Sequence, residues 1–309
     1  MDTHNKLVEC PICKNIDLSY LNGYQKLYLL KCSQCNFVFD QRVPTSKELS
    51  DHYNAYKYSH LRPVTKETVI SFNKLLDYFE QYRELGNILD LSCGQGDFLA
   101  EAKKRNWNVY GSEYSEAATH LCTERGIKMH QGDLSTNIFN NIKFDVITSF
   151  EVIEHVNNPH TLMSLTNNKL RQKGIAYCTT PNFNSLLRYF EKDKFMMINF
   201  PEHLSYYTKA SIRYLGRENN FKSLSVKTTG IDIGRLIIKP QSTLRDENQT
   251  LSKDKETASY RKRYESVSEN ARKMVGSNLA GSLMKVVINY FLNIFGLGDT
   301  LKVFWIKSK

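Results

Sequence analysis

The sequence predicts an α/β protein built on a doubly wound parallel sheet with a terminal antiparallel strand, preceded by a small four-cysteine ribbon. Three observations carry that expectation. Buried-strand patterns alternate with helical ones from residue 66 onward, a glycine turn stands at the first strand-to-helix crossover, and two Cys-x-x-Cys pairs precede both.

A chain of 309 residues can bury one large core with a satellite, and 41% hydrophobic with 24% charged residues excludes the disordered class. The first ten residues, MDTHNKLVEC, lack the basic start and apolar centre of a secretion signal, and no uninterrupted apolar run reaches membrane-spanning length. The expectation is a cytoplasmic chain. Seven cysteines, an odd number, argue against a disulfide framework and for metal binding or buried thiols. A net charge of +10 favours an anionic partner without choosing among nucleic acid, a nucleotide-linked metabolite or an acidic membrane surface. The densest basic cluster, Arg261 to Arg263, is diluted by Glu256 and Glu265 and reads as a solvated helical face.

The front of the chain carries Cys10-Pro-Ile-Cys13 and, eighteen residues on, Cys32-Ser-Gln-Cys35. Two such knuckles are the spacing of a structural zinc site, and four thiolates leave no coordination position for substrate. The β-forming residues of YQKLYLLK and NFVF let each pair cap a short hairpin, so the metal would hold together a segment too short to bury a core alone. Residues 1–45 are expected to form this module.

A lid or linker with a leading helix follows over 46–85, with Val69, Phe72, Leu75, Leu76 and Phe79 at helical spacing and Tyr53, Tyr56 and Tyr58 as an aromatic segment. The sheet is expected within 86–240. Its strands are NILDLSC, NVYGSE ending at Glu113, KMHQGD ending at Asp133, FDVITSF before Glu151, GIAYCTT before Pro181, and FKSLSVKTTG. A last strand, DTLKVFWIKS, in 299–309, should pair antiparallel at the end of the sheet. Between them, 241–298 reads as a charged excursion leading into an apolar helix over 278–296. Its polar residues Lys285, Asn289 and Asn293 recur every four positions, so its other faces require cover by the sheet, a second copy or a bilayer surface.

The first crossover reads Asp90-Leu-Ser92-Cys-Gly94-Gln-Gly96-Asp97, where glycines let backbone approach a ligand at a helix N-terminus. A dinucleotide fingerprint would need glycine at position 99, which is Leu99, and no phosphate-loop Gly-Lys-Ser/Thr occurs. What remains is an acid ending the first strand, a glycine turn, and Glu113 ending the second strand, where it can accept both hydroxyls of a ribose. In these motifs the chain resembles the class I S-adenosylmethionine-dependent methyltransferases, which have a Rossmann-like sheet. The resemblance implies that Asp90, Ser92, Gly94 and Gly96 line the methionine end of the cofactor. By the same resemblance Glu113 holds the ribose, Asp133 and Leu134 meet the adenine, and Glu151 borders the methionine. Ser92 stands where the family has its first glycine, which strains the loop if that position takes positive φ.

For the acceptor, Ser149-Phe150-Glu151-Val152 lacks the Pro-Pro and Pro-Cys motifs of the adenine and cytosine methyltransferases, so nucleic acid is not the expected partner. INFPEHLSYYTKASIRYL resembles the loop of sugar-modifying methyltransferases that carry an N-terminal four-cysteine module. That resemblance implies a sugar acceptor, nucleotide-linked or in a surface glycan, with His203 as base and Glu202 as its partner. Histidine titrates near operating pH, which suits removal of a hydroxyl proton or of one beside a keto group. Glu-x-x-Glu-His, Glu151 to His155, also resembles ubiquinone-type and RNA ribose O-methyltransferases, where a divalent metal would sit on Glu151, Glu154 and His155, with His203 as a conceivable fourth ligand. The reading taken for this segment is scaffolding and pocket lining, with the metal second. A cofactor-binding scaffold without catalysis is the remaining alternative.

Overall fold

The structure, a computed structural model, describes residues 4–45, 47–49, 63–132, 138–232, 235 and 279–308. Tyr53, Tyr56, Tyr58, Asp133, Leu134 and the charged excursion lie outside the described residues.

Strands β1 (Asn5–Lys6) and β5 (Arg42–Val43) form a two-stranded pair, and β2 (Leu18–Tyr20), β3 (Leu29–Cys32) and β4 (Val38–Asp40) form an antiparallel meander. Next come β6 (Asn87–Leu91), β7 (Asn108–Glu113), β8 (Lys128–Gln131), β9 (Phe144–Phe150), β10 (Leu170–Pro181), β11 (Ser205–Tyr206), β12 (Phe221–Thr229) and β13 (Thr300–Lys307). The helices are α1 (Lys66–Phe79), α2 (Asp97–Lys104), α3 (Glu116–Glu124), α4 (Pro159–Lys169), α5 (Leu186–Glu191), α6 (Lys209–Glu218) and α7 (Leu279–Phe295).

The central sheet has seven strands in the order β12-β13-β10-β9-β6-β7-β8. The strands β8, β7, β6, β9 and β10 run parallel, and β13 lies antiparallel between β10 and β12. The order reverses beside β6, so the crevice for a ligand opens at the carboxyl ends of β6 and β9. Helices start where the side chains dictate: Thr65, Ser115, Asn158 and Thr208 each accept a backbone N–H in the first turn of α1, α3, α4 and α6. Strand β9 buries six consecutive residues, Phe144 to Ser149, as a strand covered on both faces must.

The four-cysteine segment is not a separate satellite. Its meander gains a fourth strand from the far end of the chain, because β11 pairs antiparallel with β4 through Ser205 opposite Phe39 and Tyr206 opposite Val38. Cys10, Cys32, Cys35, Phe37 and Phe39 belong to the same buried cluster as Tyr207, Ile212 and Trp305. His160 on α4 adds a polar clamp, its Nε2 lying 2.7 Å from the carbonyl of Ile12 inside the first knuckle.

At the amino edge of the sheet, the fully buried Asp145 accepts backbone N–H groups of Leu85, Gly86 and Asn87 at the start of β6, and the Nε–H of Arg171 at the start of β10. One carboxylate therefore aligns three parallel strands. Asp145→Ala would leave those backbone donors unpaired and Arg171 with Glu84 as its remaining carboxylate, and should lower the unfolding free energy by about 2–4 kcal/mol in urea titration. A loss below about 1 kcal/mol would show that the clamp is dispensable.

Candidate active site

The carboxyl edge is built from the ends of β6, β7, β9 and β10. Asp90, next to last in β6, is buried and accepts the hydroxyl of Thr148 from β9 at 2.7 Å. Burial pushes its carboxyl up to about 8, and the charge of Glu113 adds to the shift while Thr148 opposes it. The loop after β6 is stitched to β7: Ser92 N–H donates to the hydroxyl of Ser112, and Cys93 N–H to the carbonyl of Ser112. Glu113 ends β7 with its carboxylate turned back across the loop, accepting N–H from Gly94 at 2.9 Å, Tyr114 at 2.9 Å and Ser115 at 3.1 Å. It sits where an acid can face ribose hydroxyls above the strand ends. Asp90, Ser92, Gly94, Gly96 and Glu113, five of the sequence-derived cofactor residues, thus meet at one edge.

The loop geometry explains its glycines. Gly94 and Gly96 take φ of +55° and +73°, and a Cβ on Gly96 would meet Cys122 and Ile127. Ser92 also takes positive φ, +53°. The departure from glycine therefore carries a backbone cost of roughly 1 kcal/mol, tolerated at an edge fixed by the strands on either side.

The segment after β9 differs from a regular helical turn. Glu151 has φ of +54°, and only Ile153–His155 form a short 3-10 turn. Glu151 thus leaves the helical turn, while its carboxyl stays beside that of Glu154. The group brought together is instead Glu154, His155 and His203, with one ligand atom from each lying within 4.8 Å of the others. His203 arrives because the backbone N–H of Leu204 donates to the carbonyl of Glu154 at 2.8 Å, while Asp40 N–H from β4 donates to Leu204. The α6 helix starts under a Thr208–Ser211 capping box, so His203 is not its cap.

Each imidazole is oriented by its Nδ1. That of His155 bonds the carbonyl of Glu202 at 2.7 Å, and that of His203 bonds the carbonyl of Met197 at 2.7 Å. In the neutral rings this leaves Nε2 as the unprotonated nitrogen, the arrangement of a metal ligand or a base. The carboxylate of Glu202 accepts the amide of Asn199 at 2.7 Å, and it is a carbonyl, not this carboxylate, that holds His203 Nδ1. Glu154 is 1% exposed: Oε2 accepts the Thr180 hydroxyl at 2.9 Å, whereas Oε1 has no hydrogen-bond partner and lies 3.7 Å from His155 Nε2. Burial first, then the neighbouring Glu151, raises its carboxyl well above the usual range.

The four cysteine sulfurs also lie within 4.8 Å of one another, with Cys10 3.5 Å from Cys35 and Cys13 3.4 Å from Cys32. Four thiolates placed tetrahedrally around zinc would stand about 3.8 Å apart. Lys14 and Asn36, each just after a knuckle, take φ of +61° and +56°, and the two turns repeat one local geometry. Thr148, Thr180 and His160 were not singled out by sequence; a lone threonine within FDVITSF was the one available signal.

Two outcomes are expected from this edge. Ser92→Gly should raise stability by about 0.5–1 kcal/mol in thermal unfolding, by removing the positive-φ strain; an unchanged or lower midpoint would refute it. For Asp90, the folded carboxyl is raised to about 8, so the folded form holds a proton that the unfolded chain releases near pH 4. Stability of the ligand-free protein should therefore fall as pH rises from about 4 to 8, and Asp90→Asn should flatten that slope; an unaltered slope would rule the assignment out.

Among curated proteins, the chain is 28% identical over 127 residues to a ubiquinone biosynthesis O-methyltransferase of Rickettsia bellii, a match covering 40% of this chain and 52% of that protein. A shorter match, 45% identical over 40 residues, links it to the protein of the same description in Glaesserella parasuis, covering 13% of this chain and 17% of that one. The chain thus spans about half the length, or less, of these relatives. Among solved structures, a SAM-dependent methyltransferase from Archaeoglobus fulgidus aligns at 16% identity over 77% of this chain and 93% of its own, with a TM-score of 0.49. Residues 63–226, more than half of the chain, match the family described as a methyltransferase domain, and the chain belongs to that family.

Proposed function

We propose that the chain transfers a methyl group to a hydroxyl oxygen of a small acceptor, and that Glu154, His155 and His203 handle the acceptor hydroxyl. The observation that carries this reading is the buried, unpartnered Oε1 of Glu154 beside two imidazoles whose Nδ1 atoms bond backbone carbonyls. A buried acceptor atom without a donor is costly unless a cation or substrate proton meets it. When bound, S-adenosylmethionine supplies an electrophilic sulfonium methyl, so the protein's work is alignment and proton removal.

The donor set, one carboxylate and two imidazoles, suits a divalent ion, with Glu154, His155 and His203 as its holders in place of the Glu151, Glu154 and His155 set. Such an ion would supply Lewis acidity that lowers the pKa of a coordinated hydroxyl. The similarity to ubiquinone biosynthesis O-methyltransferases supports oxygen over carbon as the acceptor atom. In the second reading His203 takes the hydroxyl proton directly and the acceptor is a sugar. Its support is that the four-cysteine meander and the His203 loop form one sheet, which joins the two features that suggested a sugar acceptor. In both readings the four cysteines hold a structural zinc ion and Glu113, Asp90 and Glu151 bound the cofactor.

One experiment separates the alternatives. After dialysis against EDTA, metal analysis should find one zinc retained per chain, and a chain without zinc would sink the ribbon assignment. Turnover of hydroxylated acceptors with labelled cofactor should then be lost and restored by magnesium or manganese; full activity in EDTA assigns the proton to His203 alone. His203→Ala should lower kcat by about 10²- to 10⁴-fold in either case, and turnover within twofold of wild type would overturn the cluster's role.

A further inference from the structure

Helix α7 is inside out. Two asparagines face the protein: Asn289 accepts the N–H of Gly230 at 2.7 Å and Asn293 accepts that of Thr228 at 3.1 Å, while Lys209 reaches the carbonyl of Asn293 at 2.7 Å. The Thr228 hydroxyl bonds the carbonyl of Leu292, so the helix is pinned to the end of β12 at several points along its last two turns. Its apolar side chains face outward. Leu283, Met284, Val286, Val287, Tyr290, Phe291, Ile294 and Phe295 are each between 48% and 68% exposed. Eight such side chains place on the order of 700 Å² of apolar surface in water, at or above the largest patch that a soluble monomer normally shows.

Charge indicates what covers it. The described helix contains no acidic residue, and Lys285 is exposed on it. At this end of the sheet Lys227 on β12 is exposed as well, while the nearby acid Asp299 is turned onto the backbone N–H of Asp232. A second copy would bring the same positive charge against itself, while an anionic lipid surface complements both the lysines and the apolar face. The helix is too short to cross a membrane, which fits lying in the headgroup layer instead.

Position adds a second argument. The end of β12 and the start of β13 lie at the carboxyl edge of the sheet, since Thr300 pairs with both Pro181 and Thr229. Asn182 donates its amide to the carbonyls of Gly296 and Gly298, and Leu186 N–H bonds Leu297, which joins the helix to the segment after β10. On α5, Tyr189 and Phe190 are likewise half or more exposed, with Arg188 and Lys192 beside them.

We infer that the outward face of α7 is a peripheral membrane-docking surface that seats the carboxyl edge of the sheet against an anionic bilayer. The inference is independent of the acceptor's identity. Full-length protein should float with phosphatidylcholine vesicles containing about 30 mol% phosphatidylglycerol, bind pure phosphatidylcholine more weakly, and lose binding as salt rises. A Phe291→Trp variant should show blue-shifted emission on adding the anionic vesicles. A combined Tyr290→Ser, Phe291→Ser, Phe295→Ser variant should keep its circular dichroism and lose vesicle binding about tenfold or more. Absence of flotation, equal binding by the serine variant, or a soluble dimer dissolved by the same substitutions without lipid binding would each overturn the proposal.

Discussion

The pairing of Ser205–Tyr206 with Val38–Phe39 is the constraint on which the rest of the site depends. It carries the far loop to the N-terminal meander, and the Asp40–Leu204–Glu154 backbone bonds then bring that loop against the turn after β9. Without it, His203 would hang on a segment with no regular structure of its own. With it, two imidazoles and a carboxylate from distant parts of the chain meet within a hydrogen-bond network that fixes their orientation. The cysteine module thus reaches the site through β4 and β11, and in the proposed reading a zinc ion in it would help to hold the His203 loop in place.

Much of this was legible in the sequence, for identifiable reasons. The strands NILDLSC, FDVITSF and FKSLSVKTTG announce themselves because burial imposes a local pattern, and the glycine turn because positive φ favours a residue without Cβ. A two-residue strand such as β11 has no period to detect, and its partner is remote in sequence, so neither its existence nor its pairing could be read. Glu151, Glu154 and His155 stand at spacings that fit one helical turn, but the positive φ of Glu151 removes it from that turn, and only the backbone reveals this. The spacing of Lys285, Asn289 and Asn293 defined a stripe without its direction. Amphipathicity fixes the axis of a helix face, while the N–H groups at the end of β12 decide that Asn289 and Asn293 turn inward and Lys285 stays in water.

The two edges of the sheet divide stability from chemistry. At the amino edge, Asp145 is buried and fully paired, with three backbone donors and an arginine. At the carboxyl edge, Asp90 holds a proton it would surrender in water, Glu154 has an oxygen without a donor, and Ser92 and Glu151 sit in left-handed backbone. Each of these features costs folding free energy, and none is relieved by another protein group at hand. For the two carboxyls, Asp90 and Glu154, positive charge arriving from outside the fold offsets that cost, whereas the φ of Ser92 and Glu151 is set by the backbone alone. Burial of Asp90, Glu113 and Glu154 at one edge of a chain of net charge +10 favours a cationic ligand there, which in the proposed reading is the sulfonium cofactor. A cation bound at this edge would therefore stabilise the fold, since carboxyls already held in place need no reorganisation when it enters.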